Sequence, residues 1–257
     1  QAVIGAAHFL QHARRAIDQR LAQVDAQAAA LATQDEAGQR FTIAGFFKRI
    51  DKPIESFSSF DDNSVITSFA NAPKADLYGV EIETQKYFDL SGIGDKGFFS
   101  TRRAVVIANY TYTKSKISVK SGDTVAVFNS SSTNALDFFT NGSPLTGQSD
   151  HLVNLQFGLE DTERLSQQTI LLTYASERVT SRGASGQPDI KEKPGFQLDF
   201  VAREGFTFAG KEAELKFELR NLTNTKYQEF QESGDNKIFY NRYRQGISAS
   251  VGVEINF

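Results

Sequence analysis

The 257-residue chain has no cysteine, no methionine and no tryptophan, and only five prolines. Without cysteine there is no disulfide framework, no thiol nucleophile and no thiolate-ligated zinc. Without methionine, Gln1 is not a translation start, so the chain is expected to be processed or to belong to something longer. The stretch Ala2-Val3-Ile4-Gly5-Ala6-Ala7 has no basic segment before it, so any export signal is expected upstream of Gln1. Long apolar runs are missing too: none reaches the roughly 18 residues of a membrane-crossing helix, and the mean hydropathy is −0.37. Strands that cross a membrane escape this exclusion, because only one of their faces is apolar. A formal charge of −3 gives no reason to expect nucleic acid.

What is present falls into two blocks. Residues 1–40 are rich in Ala and Gln, and Ile17, Leu21, Val24, Ala28 and Leu31 recur at spacings of four and three. That narrow stripe predicts an N-terminal α-helix over 17–31, with Gly38 as its stop. It is read as docked on the rest of the chain; a partner-binding helix and an accident of truncation or frameshift stand as alternatives.

From Phe41 onward the period becomes two. Leu215-Lys216-Phe217-Glu218-Leu219-Arg220 alternates completely, and Val153, Leu155, Phe157 and Leu159 alternate with Asn154, Gln156 and Gly158. Near the end, Ile247, Ala249, Val251, Val253, Ile255 and Phe257 oppose Ser248, Ser250, Gly252, Glu254 and Asn256. Such segments are strands with one apolar and one polar face. About eight are predicted: 40–50, 75–88, 99–119, 148–160, 165–180, 194–206, 213–224 and 238–257. Short turns (89–97, 161–164, 207–211) alternate with long polar loops (51–74, 120–147, 181–193, 225–237). Short connections at one edge and long ones at the other predict an all-β, antiparallel up-and-down transmembrane β-barrel segment. The organisation expected is therefore a helical segment over 1–40 and the barrel part over 41–257. Tyr110 and Tyr112, Phe196 and Phe206, and Tyr240 and Tyr243 sit towards strand ends, where interfacial girdles belong.

These residues resemble the TonB-dependent receptors of Gram-negative outer membranes. Asn71-Ala72-Pro73-Lys74-Ala75-Asp76-Leu77-Tyr78-Gly79-Val80-Glu81-Ile82-Glu83 is similar to a barrel strand of that family, and Phe41–Glu55 to the strand before it. Ala108-Asn109-Tyr110-Thr111-Tyr112-Thr113 and Arg220-Asn221-Leu222-Thr223-Asn224-Thr225-Lys226-Tyr227 match two further features, and Phe257 closes an alternating final strand. The resemblance covers about residues 41–257. It implies a 22-stranded barrel with an N-terminal plug, taking up ferric siderophores or similar scarce nutrients with energy from the TonB complex. Neither plug nor TonB-contacting segment is recognised in this sequence, so the resemblance is to the C-terminal part of the barrel. It further implies outer-membrane lipid around the strands, and barrel-assembly machinery reading Val251, Val253, Ile255 and Phe257.

No catalytic grouping is found. Gly92-Ile93-Gly94-Asp95-Lys96-Gly97 satisfies a dinucleotide-binding pattern but joins two antiparallel strands, so it is read as a turn. His8 and His12 lack a third metal ligand, and His151 has no nucleophile to serve. Asp61-Asp62-Asn63 lacks the spacing of a calcium loop. No cofactor, metal or nucleic-acid partner is expected. Ligand contacts are sought in the long loops, at Phe57, Phe60, Asp61, Asp62, Asn129, Tyr227 and Phe230. Arg203, Lys216, Arg220, Arg242 and Arg244 are expected to line the lumen or its rim beside Asp199, Glu218 and Glu254. Two rival readings remain: a stand-alone eight-stranded barrel with a structural or adhesive role, and a soluble β-sandwich that binds carbohydrate.

Overall fold

A computed structural model describes residues 24–34, 38–61, 64–94, 97–128, 130–183 and 186–255. The period-two segments form one nine-stranded sheet in which every neighbouring pair is antiparallel. In spatial order its strands are β1 (Val24–Gln34), β2 (Arg40–Asp51), β5 (Lys74–Asp89), β6 (Arg102–Ser118), β7 (His151–Asp161), β8 (Ser166–Ala175), β11 (Gly195–Phe208), β12 (Lys211–Arg220) and β15 (Ser248–Ile255). A hairpin of β3 (Ile54–Asp61) and β4 (Ser64–Asn71) rises between β2 and β5. A four-stranded sheet joins β9 (Arg178–Ser181), β10 (Ile190–Glu192), β13 (Lys226–Ser233) and β14 (Asn236–Arg244).

Directly opposite residues in an antiparallel pair share a face, so the register sorts the sheet into two surfaces. One row runs Ile43, Ile82, Tyr110, Val153, Tyr174, Phe196 across six strands. Another runs Val106, Phe157, Ile170, Phe200, Leu219, Ala249. On the opposite face, Glu83, Asn109, Asn154, Thr173 and Gln197 stand in line. The apolar surface is left uncovered: Phe157 is 48% exposed, Phe196 55% and Val251 67%. A contiguous apolar face of this extent marks contact with a membrane or with another protein surface.

That surface is also bounded like a lipid belt. On β6 the apolar stretch from Ala104 to Tyr112 is about nine residues, close to the roughly 9–11 that a tilted strand needs. At the long-loop end it is rimmed by Phe47, Tyr78, Tyr112, Tyr174 and Phe196, and at the short-turn end by Phe41, Phe88, Phe206 and Phe208. Phe206 therefore joins one girdle and Tyr112 and Phe196 the other, whereas Tyr240 and Tyr243 lie on β14, outside the nine-stranded sheet.

Three expectations need correction. Val24, Ala28 and Leu31 are not helical: they lie in β1, with Val24 opposite Ile50 and Leu31 opposite Ile43. The unpaired edge of β2 offers a full ladder of hydrogen bonds, and this tertiary pairing overrides the helical preference of an alanine-rich segment. Ile17 and Leu21 lie outside the described residues, as do His8 and His12. Region 238–257 is not one strand, because Gly246 at φ +79° separates β14 from β15. Finally, β1 and β15 are the two free edges, and no pairing closes them among the described residues. The described residues thus do not form a closed eight-stranded barrel. The Gly92–Gly97 motif lies between β5 and β6, and its described start belongs to a 3₁₀ turn at Ser91–Ile93.

Gly79, on the polar face of β5, is sterically required. A Cβ there would overlap the Tyr112 carbonyl oxygen and approach the Phe46 ring to 2.7 Å, whereas Gly45 has nothing within 4 Å. Gly79→Ala is expected to destabilise the sheet by about 1–3 kcal/mol, the usual cost of overpacking, and Gly45→Ala to be near neutral. Heat-modifiability of the two variants on gels checks this contrast.

Candidate functional site: the loop layer

All the long connections leave the sheet at the edge rimmed by Tyr78, Tyr112 and Phe196, and they pack on one another there. The buried apolar cluster lies among them, not on the lipid-like face. Phe57 of β3, 3% exposed, meets Phe139 edge-on at 5.4 Å and Phe138 at 6.2 Å. Ile50, Ala72, Ile117, Val125 and Leu145 complete the cluster.

Arg182, just after β9, joins three of these segments. Its Nε and Nη2 donate to Glu55 Oε2 at 2.9 and 2.7 Å, and its Nη1 donates to Asp189 at 2.6 Å. Nη2 also donates to the Pro144 carbonyl. The side chains of Arg182 and Glu55 are 3% and 1% exposed. The Thr146 N–H donates to both oxygens of Glu55, at 3.3 and 3.2 Å. Backbone bonds reinforce the contact: the Arg182 N–H donates to Ser56 O and the Ser58 N–H to Arg182 O. A Cβ at the next residue, Gly183, would overlap the Pro188 carbonyl, so only glycine lets the chain turn back to bring Asp189 to the guanidinium. Burial pushes the Glu55 carboxyl above its ordinary value, outweighing the pull of Arg182 in the other direction.

The residues singled out for ligand contact are distributed through this layer. Phe57 is part of its core. Phe60 and Asp61 end β3, but their side chains, like Asp62 and Asn129, lie outside the described residues. Phe230 is 1% exposed, opposite Lys191 of β10 and edge-on to Phe239. Tyr227 stacks on Tyr243 at 5.0 Å, and burial, with Glu229 and Glu192 nearby, pushes its phenol up to about 12. Its O–H is engaged by the Glu192 carboxylate. Phe57 and Phe230 are mortar, while Tyr227 is half-buried. Glu55 and Arg182 had no local signal, because they are 127 residues apart in sequence.

The polar sheet face carries compensated charge. Arg203 binds Glu214 through two bonds of 2.6 and 2.7 Å, and Arg220 reaches Asp199 at 3.2 Å. Arg242 and Arg244 are not on this face: they belong to β14 in the small sheet, because the Gly246 break turns that segment out of line with β15. The Asn-Leu-Thr-Asn run is a clasp. Asn221, at φ 56°, donates to Gly246 O through Nδ2, accepts from the Thr225 N–H, and gives its own N–H to Asp199. It thereby ties β11, β12 and the starts of β13 and β15. Among the described residues no cluster of His, Asp and Glu could hold a metal.

A family model described as TonB dependent receptor-like, β-barrel matches residues 31–222. The chain belongs to this family. Nothing among curated proteins and nothing among solved structures matches it. The family is one of outer-membrane receptors of Gram-negative bacteria, not of enzymes. Within this receptor barrel the match runs from inside β1 to the Asn221 clasp and so spans the loop layer as far as β10.

Removing one partner of a buried ion pair strands the other. Arg182→Met is expected to cost about 3–5 kcal/mol, and Glu55→Gln, which can still accept from Thr146, clearly less. Because the folded carboxyl titrates above its unfolded value of 4.5, its contribution is complete below that pH and is lost as pH rises through the elevated value. Hydrogen exchange at the Thr146 and Ser58 amides, corrected for intrinsic rate, should show this loosening in the native chain and not in Glu55→Gln.

Proposed function

We propose that this chain is the C-terminal part of the wall and outer cap of a receptor barrel that takes up a ferric siderophore or a similarly scarce nutrient, energised through TonB. One observation carries the reading. A predominantly apolar surface, broken only by polar residues towards its short-turn side such as Lys86, Gln168 and Glu204 and rimmed by aromatic residues, backs a polar face lined by paired charges, and every long loop gathers at a single edge. This is the layout of a wall between lipid and a hydrated lumen. The two free edges, β1 and β15, then pair with further strands of the same wall, since open ladders are not left in hydrocarbon.

In this reading the ligand meets the outward side of the loop layer, where Tyr227, Phe60, Asp61, Asp62 and Asn129 remain candidates. TonB acts through a plug domain. The barrel-assembly machinery reads β15 through Val251, Val253 and Ile255, with Phe257 beyond the described residues.

Two outcomes are expected. Phe157→Arg places a cation on the lipid side and should destabilise the membrane-inserted protein by about 2–4 kcal/mol; Gln156→Arg, on the lumen side, should cost little. Equal effects in urea unfolding from vesicles would refute the assignment of faces. Replacing 226–244 by a short turn should abolish uptake of labelled ferric siderophore by iron-starved cells without lowering the amount of barrel in the membrane. Undiminished uptake would remove that hairpin from the ligand site.

A further inference from the structure

Two register shifts occur among the described residues, and both fall in the four-stranded sheet. One lies between Ile190 and Lys191 against β9, the other between Glu229 and Phe230 against β14. A bulge leaves one extra residue unpaired and re-aims its side chain. The extra residues are Thr180 and Tyr240, and both come to a single carboxylate. Thr180 donates through Oγ1 to Glu229 at 2.8 Å. Tyr240 adjoins Asn241, the residue opposite Glu229; burial, and then the Glu229 charge, push its phenol above the ordinary value. Asn241 itself donates to the other Glu229 oxygen at 2.8 Å.

The rest of this face is aromatic and short of positive charge. Tyr227, two residues before Glu229, stacks on Tyr243 at 5.0 Å, and Tyr243 is 54% exposed. Glu192 stands directly opposite Glu229, and Arg178, on the far side of Glu192, is ion-paired to it. One guanidinium therefore stands beside two carboxylates. Glu229 is held by neutral donors and has no ion pair among the described residues. Like charges directly opposite one another weaken a ladder, so the fold gains nothing from this placement.

The reverse face of the same sheet is basic, with Lys226 opposite Arg244 and Gln228 opposite Arg242. Lys191, on that basic face, lines a cleft of about 420 Å³ with Tyr78 and Lys116 from the apolar side of the large sheet. Glu229, Tyr227 and Tyr243 are on the opposite face, turned from the membrane side.

We infer that Glu229, with the rings of Tyr240 and Tyr243, binds an organic cation, the ammonium or guanidinium group of the ligand that the outer cap receives. This rests on the receptor reading above and narrows its ligand. Such a group brings the charge that Glu229 lacks and donates to its carboxylate, while the faces of tyrosine rings attract cations. A bare metal ion suits the site less. Thr180 and Asn241 already donate to the carboxylate, and burial pushes the Tyr227 phenol up to about 12, so it supplies no phenolate ligand.

The test uses the whole receptor purified from outer membranes in detergent, with n-butylammonium, neutral n-butanol and anionic butyrate as probes in ligand-observed NMR. Native protein should bind n-butylammonium about tenfold more tightly than either of the others. Glu229→Gln keeps the shape and can still accept from Thr180, and it should remove that preference. Tyr243→Leu should weaken ammonium binding about threefold, and Lys226→Gln, on the reverse face, should leave it unchanged. Heat-modifiability on gels shows that each variant is folded. Ammonium binding unchanged in folded Glu229→Gln, or butyrate bound as well as ammonium, overturns the inference and leaves the receptor reading standing. Displacement by sodium or potassium as effective as by n-butylammonium overturns it in favour of a bare-cation site. In iron-starved cells, a ferric trihydroxamate with a terminal ammonium group should be taken up faster than its N-acetylated form, and Glu229→Gln should level the two. Ammonium binding that depends on Glu229 in a receptor that takes up no ferric siderophore supports the cation site while removing the siderophore from the receptor reading.

Discussion

The structure depends on one geometric constraint: in an antiparallel ladder, opposite residues share a face, and a one-residue slip turns every side chain over. For nine strands to present a single apolar surface, all eight pairings must hold phase. They do; among the described residues, register shifts occur only in the small sheet, at Ile190/Lys191 and Glu229/Phe230. Backbone groups in contact with hydrocarbon have no water to turn to, so the ladder must satisfy them without a break. The small sheet lies outside that belt and can tolerate bulges.

A second consequence is where the packed core lies. In a water-soluble sandwich the apolar strand faces would pair off and be buried. Here they stay open, and the close-packed apolar cluster forms instead among the loops, around Phe57, Ile117 and Phe139. The strand faces stay open while the loops bury apolar groups of their own. The guanidinium of Arg182 serves the same end by another route: it satisfies the Glu55 and Asp189 carboxylates and a backbone carbonyl inside a layer with little regular structure. Such a layer is stiff enough to hold binding loops on a rigid scaffold.

Charge differs between the two sheets. On the polar face of the large sheet, Arg203, Lys216 and Arg220 are each matched by Glu214, Glu218 or Asp199. On the basic side of the small sheet, cations outnumber acids and stand beside the aromatic rim.

Alternation along 215–220 and 153–159, the alternating lengths of the connections and the Asn221 run all speak locally, so strand identity, two-faced character and family were legible in the chain. Side-chain period and turn chemistry are short-range properties that survive without a partner. The stripe at Val24, Ala28 and Leu31 misled because alanine is permissive, and the free edge of β2 decided its conformation. Arg242 and Arg244 shared the alternation of their neighbours, yet Gly246 sends them to another sheet. Glu55 and Arg182 bear no mark in sequence; only folding brings together groups 127 residues apart. The sequence by itself determined which faces each strand would have. Which face meets which phase, and which loops lock together, was decided by long-range register and by burial of an ion pair, neither of which any local window contains.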